Sequence, residues 1–391
     1  MGNLINKIKE NKTIGWLSAA HFTTDTYSGF LNPIMPFIAA NLGISMGVAA
    51  LVMSISQLIS QLIQPIFGFF ADSFFKRIFI FWGLLLASLF FPLTACAPNL
   101  AVLVIFIVLG SLGVSIFHPQ SIGFVIRFTK DDFTRNMGFF LSMGSIGYSF
   151  GPAISAAVME FLGLKAMPVT SIVGILLVMM MFACVPKISN IDKQPEKKNI
   201  VEVFKAILAN KQILILILVA IMKAIISSSC AILLPFFWKD AGYSPFYIGM
   251  ALFWFMLAGG FGSLLSPKFE KMIGTRNIIY LSMLAMPVMM FIFVYATPRM
   301  PILALVDFVL MAFVLMLATP ITMVLAQKEL PQYKSIIGGF LNGFCWGIVG
   351  GILSGLGFVA QKFGVLQILL IASILPTLSV YFVKDLKIEE E

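Results

Sequence analysis

The chain has 391 residues, of which 60% are hydrophobic and 11% are charged. Soluble domains carry about a quarter charged residues, so this composition excludes a soluble domain or a nucleic-acid-binding protein, and the net charge of +9 does not indicate an acidic partner. The four cysteines show no C-x-x-C or Cys/His spacing, so we expect no disulfides and no metal site. We also expect no cofactor.

Apolar runs of roughly 20 residues recur along the chain, and each is long enough to cross a hydrocarbon core of about 30 Å as a helix. We therefore predict an all-α membrane protein with twelve transmembrane helices. The predicted spans are 14–40, 46–70, 78–97, 101–127, 136–161, 166–186, 212–237, 245–267, 277–297, 301–327, 335–360 and 365–383.

One long polar stretch divides these spans into two sets of six. The division predicts two pseudo-symmetric six-helix bundles, at 1–186 and 212–391, joined by a cytoplasmic linker at 187–211. With the N-terminus inside, most of the 26 Lys and Arg residues fall in inside segments. Because basic residues concentrate in cytoplasmic loops, we expect both termini to be cytoplasmic.

The first predicted span contains "HFTTD", which places His21 and Asp25 one helical turn apart on the same face. Charge inside a membrane is costly, so such residues face a water-filled cavity or a partner. Asp25 is the main candidate for proton coupling, and His21 is placed to share its proton. The alternative is a static His–Asp pair that stabilises helix packing. Tyr27, two residues further on, is a candidate substrate contact that lines a cavity, and the alternative is a core residue.

The stretch "GFFADSFFKR" (68–77) follows the second span, and "GSLLSPKFEK" (262–271) echoes it after the eighth. It resembles the cytoplasmic loop signature of the major facilitator superfamily through Gly68, Asp72, Lys76 and Arg77. The resemblance implies that Gly68 allows close helix packing while Asp72 and Arg77 pair across a gate. Ordinary anchoring by basic residues is the alternative.

The fourth and fifth spans carry two further motifs. In "FHPQS", Pro119 removes a helix hydrogen bond beside His118, so His118 is either a ligand contact or a structural histidine, and Gln120 joins the candidate substrate contacts. In "GFFLSMGSIGYSFGPAIS", the small residues resemble the antiporter motif of the same superfamily, and tight helix packing is the alternative. The motif residues are Gly138, Gly147, Gly151 and Pro152.

The second half places Lys223 inside the seventh span and Asp307 inside the tenth. Lys223 either holds an anionic substrate or pairs permanently with Asp25 or Asp307. Asp307 is accordingly an outer gate or the counter-ion of Lys223.

Together, "HFTTD", "FHPQS" and Lys223 resemble the fosmidomycin-resistance group of drug efflux transporters. In the superfamily the first, fourth, seventh and tenth spans line the central cavity, and the five ionisable residues inside predicted spans fall on those four. They are His21, Asp25, His118, Lys223 and Asp307.

The resemblance implies a monomer in the cell membrane that exchanges protons for small anionic or amphipathic compounds by alternating access. The first alternative is proton-coupled import of an organic anion. A membrane-embedded enzyme is disfavoured because the chain has no H-E-x-x-H, G-x-S-x-G or Walker motif.

Overall fold

A computed structural model describes residues 2–64, 66–67, 77–129, 133–186 and 200–388. Within these ranges the chain is helical and contains no strand. Eight of the described helices are long and apolar enough to cross a membrane, and Met46–Leu62 is a shorter apolar helix. The protein is therefore a multi-pass helical membrane protein, as its composition predicts.

The described residues of the first half include seven helices, joined in part by 3₁₀ turns at Thr94–Cys96 and Leu164–Thr170. They are α1 (Gly2–Ser28), α2 (Leu31–Leu42), α3 (Met46–Leu62), α4 (Ile78–Leu93), α5 (Leu100–Phe128), α6 (Phe133–Leu162) and α7 (Ser171–Cys184).

The predicted first span is broken into α1 and α2 at Gly29 and Phe30. The break lies where α1 meets α6. A Cβ on Gly29 would lie 2.8 Å from the carbonyl oxygen of Tyr148 and 3.1 Å from Pro152. The predicted span 14–40 thus contains two consecutive helices, and the contact at Gly29 is not visible in the hydropathy of the span.

Residues 200–388, the described part of the second half, form eight helices with a π-helical turn at Phe340–Phe344 inside the predicted eleventh span. They are α8 (Ile200–Ala209), α9 (Lys211–Asp240), α10 (Pro245–Ile273), α11 (Thr275–Ala296), α12 (Pro301–Glu329), α13 (Lys334–Gly339), α14 (Cys345–Phe363) and α15 (Val365–Val383).

Local sequence explains where several helices begin and end. Asn99 caps α5 by accepting a hydrogen bond from the N–H of Val102 at 3.0 Å, and Asn210 caps α9 in the same way. Helix α2 ends at Gly43, whose φ of 64° is in the left-handed region that glycine adopts without strain.

The described contacts divide the chain into two compact units. Unit 1 comprises Met1–Ser45, Ile55–Glu196 and Gly242–Phe253, and unit 2 comprises Met46–Ser54, Lys197–Ala241 and Trp254–Glu391. Each half of the sequence thus contributes one short segment, at the start of its second span, to the unit built mainly from the other half.

These exchanged segments pack through small residues. In unit 1, a Cβ on Gly249 of α10 would lie 2.5 Å from the carbonyl oxygen of Pro152 in α6. In unit 2, the N–H of Gly47 in α3 donates a hydrogen bond of 2.9 Å to the Gln361 side chain in α14. Close approach of helix backbones through glycine is typical of membrane helix packing.

Candidate functional site

The polar site of unit 1 is centred on the Asp25 carboxylate, which lies between two histidine rings. Oδ2 of Asp25 is 3.3 Å from Nε2 of His21, one turn earlier on α1. Oδ1 is 3.2 Å from Nε2 of His118 on α5. The side chains are 14%, 5% and 19% exposed respectively, so the cluster is largely shielded from solvent.

The outer nitrogen of each histidine ring faces a backbone carbonyl. Nδ1 of His21 is 2.9 Å from the carbonyl oxygen of Phe140, and Nδ1 of His118 is 2.9 Å from that of Val114. A carbonyl oxygen accepts hydrogen bonds and cannot donate them, so we assign the ring proton of each neutral histidine to Nδ1.

With this assignment, when both histidines are neutral and Asp25 is ionised, neither the two Nε2 atoms nor the carboxylate carries a proton. Lone pairs would then face lone pairs in both contacts. One proton satisfies one contact, and two protons satisfy both. The cluster is therefore built to hold shared protons.

The neighbouring helices fix the position of His21. Its ring stacks on that of Phe140 with centroids 4.2 Å apart. A Cβ on Gly144 of α6 would lie 2.8 Å from Oδ2 of Asp25 and would also overlap the His21 ring. Because Gly144 has no side chain, the His21 ring and the Asp25 carboxylate can occupy this space.

The same three side chains offer donor atoms that all lie within 4.8 Å of one another. Two imidazoles and a carboxylate are a donor set that transition metals such as Zn²⁺ accept. A metal is not needed to explain the geometry, because protons satisfy the same contacts.

The polar site of unit 2 is built around Lys223 of α9. Lys223 is 4% exposed, and its ammonium donates a hydrogen bond of 2.8 Å to Oγ1 of Thr319 on α12. A narrow cavity beside it is lined by Lys223, Met316, Thr319, Thr322, Met323 and Trp346.

Asp307 is not brought to Lys223. It lies on α12 three turns before Thr319, which is about 18 Å along the helix. Asp307 is 7% exposed, and its Oδ2 has no hydrogen-bond partner among the described residues. The alternative in which Asp307 is the counter-ion of Lys223 is therefore not supported by the structure.

The two remaining candidate substrate contacts differ from each other. Tyr27 is 2% exposed; its hydroxyl donates to the carbonyl oxygen of Thr170 and accepts from the N–H of Gly174. These hydrogen bonds connect α1 to the 3₁₀ turn at Leu164–Thr170 and to α7, so the structure gives Tyr27 a role in helix packing. Gln120 is 3% exposed, and its Oε1 has no partner in the described part of the chain.

Of the predicted gating residues, Gly68, Asp72 and Lys76 lie outside the described residues. Arg77 is described, and its guanidinium donates to the carbonyl oxygens of Phe182 and Val185. It also lies over the Phe182 ring, 5.1 Å from the centroid. Arg77 thus binds the end of α7, and the predicted pairing of Asp72 with Arg77 stays a prediction.

The glycine motif of α6 divides into two parts. A Cβ on Gly147 would overlap the carbonyl oxygen of Phe22, and one on Gly151 would overlap that of Thr26, so both glycines pack α6 directly on α1. A Cβ on Gly138 would meet nothing within 4 Å. Gly138 is therefore not needed for this helix contact.

The sequence did not identify Gly144, the carbonyls of Phe140 and Val114, or Thr319. Gly144 precedes Gly147 by three residues, and this spacing places both glycines on the same face of the helix, which the sequence alone could have indicated. The other three become visible only when distant segments are brought together in space.

Known proteins similar to this chain are transporters. The sequence matches the family model of the Major Facilitator Superfamily over residues 17–355. It is similar to the fosmidomycin resistance protein of Escherichia coli (strain K12), with 22% identity over 374 residues, 93% of this chain and 90% of that protein. It is also similar to the quinolone resistance protein NorA of Staphylococcus aureus, with 25% identity over 133 residues, 34% of each.

Solved structures with the same fold include two transporters. A bacterial homolog of the human lysosomal transporter Spinster, inward-facing and occupied, matches with a TM-score of 0.79 and 12% identity, over 95% of this chain and 96% of that chain. The nucleoside transporter NupG matches with a TM-score of 0.76 and 14% identity, over 96% and 98%. At these identities the two structures show the fold alone.

Proposed function

The chain belongs to the Major Facilitator Superfamily, and from this premise we propose that it is a proton-coupled exporter of small anionic or amphipathic compounds. The membership confirms the predicted fold class and the resemblance to efflux proteins, and it makes the chain a membrane transporter and not an enzyme. Proton coupling, direction and substrate are the parts that we propose.

The observation that carries the proposal is the His21–Asp25–His118 cluster. Each of its two histidine–carboxylate contacts can hold one shared proton, so the charge of the cluster depends on how many protons it holds. A buried charge is costly and a neutral group is not, so protonation changes the relative free energy of states that expose the cluster to different sides. Asp25 is the proton-coupling residue, with His21 and His118 sharing its protons.

Alternating access then links the movement of substrate to the movement of protons. Substrate binding favours one state and protonation the other, and each ligand shifts the equilibrium only through its different affinity for the two states. We keep Lys223 in unit 2 as a substrate contact, Gln120 in unit 1 as a separate candidate substrate contact, and Asp307 as an outer gate. Export is favoured over import because both curated relatives are named for drug resistance.

The remaining parts of the proposal concern orientation, oligomeric state and bundle boundaries. Basic residues favour cytoplasmic termini in the cell membrane, and we propose that the chain acts as a monomer. The bundle boundaries 1–186 and 212–391 are proposed with the linker at 187–211, which includes α8. The loop at 68–77 is the proposed gate.

Drug resistance in a bacterial host that lacks its own efflux pumps tests the proposed direction. We expect expression of the chain to raise the inhibitory concentration of fosmidomycin or of a quinolone severalfold. Asp25→Asn, present at equal membrane level, should give no increase. Greater sensitivity on expression would indicate import, and an equal increase with Asp25→Asn would remove Asp25 from the mechanism.

A further inference from the structure

We propose that His21, Asp25 and His118 form a binding site for a divalent transition-metal ion such as Zn²⁺, which displaces the shared protons of the cluster. The site lies within unit 1, between α1 and α5. Binding of the ion is inferred from the geometry of these three side chains alone. Its effect on transport rests on the proposed function, because the ion occupies the lone pairs that carry protons there.

The distances around the Asp25 carboxylate suit a metal ion. Zn²⁺ binds imidazole nitrogen and carboxylate oxygen at about 2.0–2.2 Å, so neighbouring donor atoms of a tetrahedral site lie about 3.4 Å apart. The contacts of His21 and His118 with Asp25 measure 3.3 Å and 3.2 Å. The donor atoms of all three residues lie within 4.8 Å of one another, so the two rings need to approach each other by about 1.4 Å at most.

Each histidine presents to Asp25 the ring nitrogen that a metal needs. Nδ1 of His21 faces the carbonyl oxygen of Phe140, and Nδ1 of His118 faces that of Val114, both at 2.9 Å. Histidines that bind metals almost always donate their other ring N–H to a carbonyl, a carboxylate or water, which fixes the ring and its tautomer. The outer hydrogen bonds of a metal centre are therefore already present in the protein.

The surroundings hold one ring in place and leave access to the cluster. His21 is buried and stacks on Phe140. Asp25 and His118 are partly exposed, so an ion reaches the carboxylate from their side. Three protein ligands leave at least one coordination position for water, as in zinc sites that are not fully closed.

The donor set selects the class of ion. Imidazole nitrogen suits Zn²⁺, Cu²⁺ and Ni²⁺, whereas Mg²⁺ and Ca²⁺ prefer sites built from oxygen. With both histidines neutral and Asp25 ionised, the cluster has a charge of −1, and a divalent ion brings it to +1. Two shared protons give the same charge of +1. The bound ion thus reproduces the charge of the doubly protonated cluster.

The sequence alone does not indicate this site. His21 and Asp25 are one helical turn apart on α1, but the third ligand comes from α5. The expectation of no metal site rests on the spacing of cysteines and histidines along the chain, and that spacing does not show which helices pack together.

Calorimetric titration of the purified full chain with ZnCl₂ in a neutral detergent tests the site. The affinity tag is removed, because the chain has two histidines and both belong to the site. The exposed Cys96 and Cys184 are replaced by serine, because thiolates also bind Zn²⁺. We expect one saturable Zn²⁺ site per chain that excess Mg²⁺ or Ca²⁺ does not displace. No saturable binding, or displacement by Mg²⁺, would overturn the site.

Variants in the same background locate the ion. His118→Gln and Asp25→Asn each remove one ligand and should weaken Zn²⁺ binding about tenfold or more, since loss of even an outer partner of a metal ligand costs about 10–100-fold. Asp385→Asn removes a carboxylate outside the cluster and is the matched control. Equal Zn²⁺ affinity in the parent and in both ligand variants would overturn the site.

The absorption spectrum of bound Co²⁺ gives a second measurement that needs no ligand variant. Nitrogen and oxygen ligands in a site with four or five ligands give stronger d–d bands than hydrated Co²⁺, without the charge-transfer band of a thiolate. We expect this spectrum, and we expect Zn²⁺ to abolish it by displacing Co²⁺. A spectrum identical to that of hydrated Co²⁺ would overturn the site even if the variants fail to fold.

The effect on transport is measured separately. Zn²⁺ should inhibit gradient-driven transport, and a chelator should restore it. If Zn²⁺ binds at the cluster and transport is unchanged, the metal site stands and proton coupling at Asp25 fails. If Asp25→Asn abolishes coupling but the parent chain does not bind Zn²⁺, the transport mechanism stands and the metal site fails.

Discussion

Replacing Asp25 with asparagine should abolish gradient-driven transport while leaving the protein folded. Asparagine has nearly the shape of aspartate, and its amide donates to one histidine Nε2 while its oxygen accepts from the other once that histidine is protonated. The contacts of 3.3 Å and 3.2 Å can therefore survive in the variant. What is lost is an ionisable group and its shared protons.

The size of the loss follows from the usual strength of coupling between two ligands. Such couplings are typically 1–3 kcal/mol, so removing the proton site should lower gradient-driven substrate accumulation by about tenfold or more. Accumulation in vesicles under an imposed pH gradient measures this. Exchange of labelled for unlabelled substrate without a gradient should continue, because it needs the binding site and not the proton.

The matched control is Asp385→Asn, which removes a carboxylate that pairs with Lys211 outside the predicted spans. It should transport like the unchanged protein. A metal chelator in every sample excludes metal bound at the cluster as the cause of any difference. Full accumulation by Asp25→Asn would show that the cluster is a static packing element.

Alanine at Gly147 should destabilise the protein strongly, whereas alanine at Gly138 should not. A Cβ on Gly147 would overlap the backbone carbonyl of Phe22, which cannot move aside like the end of a side chain. Overpacking of this kind costs typically 1–3 kcal/mol. Gly138 has open space around its Cβ position, and alanine there gains up to about 1 kcal/mol of helix propensity.

Thermal unfolding of the two purified variants in the same detergent measures the difference. We expect a lower midpoint for Gly147→Ala and an unchanged or higher midpoint for Gly138→Ala. Equal unfolding midpoints would mean that the contact between α1 and α6 accommodates the added Cβ without loss of stability. A stable Gly147→Ala variant that transports without moving protons would instead support the antiporter reading of the motif.

Much of the fold was predictable because a bilayer leaves helices few alternatives, and apolar length alone locates most of them. The break at Gly29 was not predictable, because it depends on the fit of α1 against Tyr148 and Pro152 in α6. Helix α8 was missed because it lies in a polar stretch between the two sets of spans. The π-helical turn at Phe340–Phe344 has no signature in hydropathy.

The site was predictable where its members are close in sequence. The spacing of His21 and Asp25 placed them on one face of α1, and the structure brings them together. His118 was considered separately from them, because only the packing of α5 against α1 brings its ring to the same carboxylate. The sequence suggested an acidic partner for Lys223, because opposite charges attract. The structure instead gives it the hydroxyl of Thr319.

In the proposed mechanism, substrate and protons move in opposite directions through the protein. The most direct test is the internal pH of liposomes containing the purified chain, read with a trapped dye while a transported compound is added. We expect inward movement of the compound to drive protons outward, and we expect Asp25→Asn to remove this response. Protons that move in the same direction as the compound, or a compound that moves with no change in pH, would contradict it.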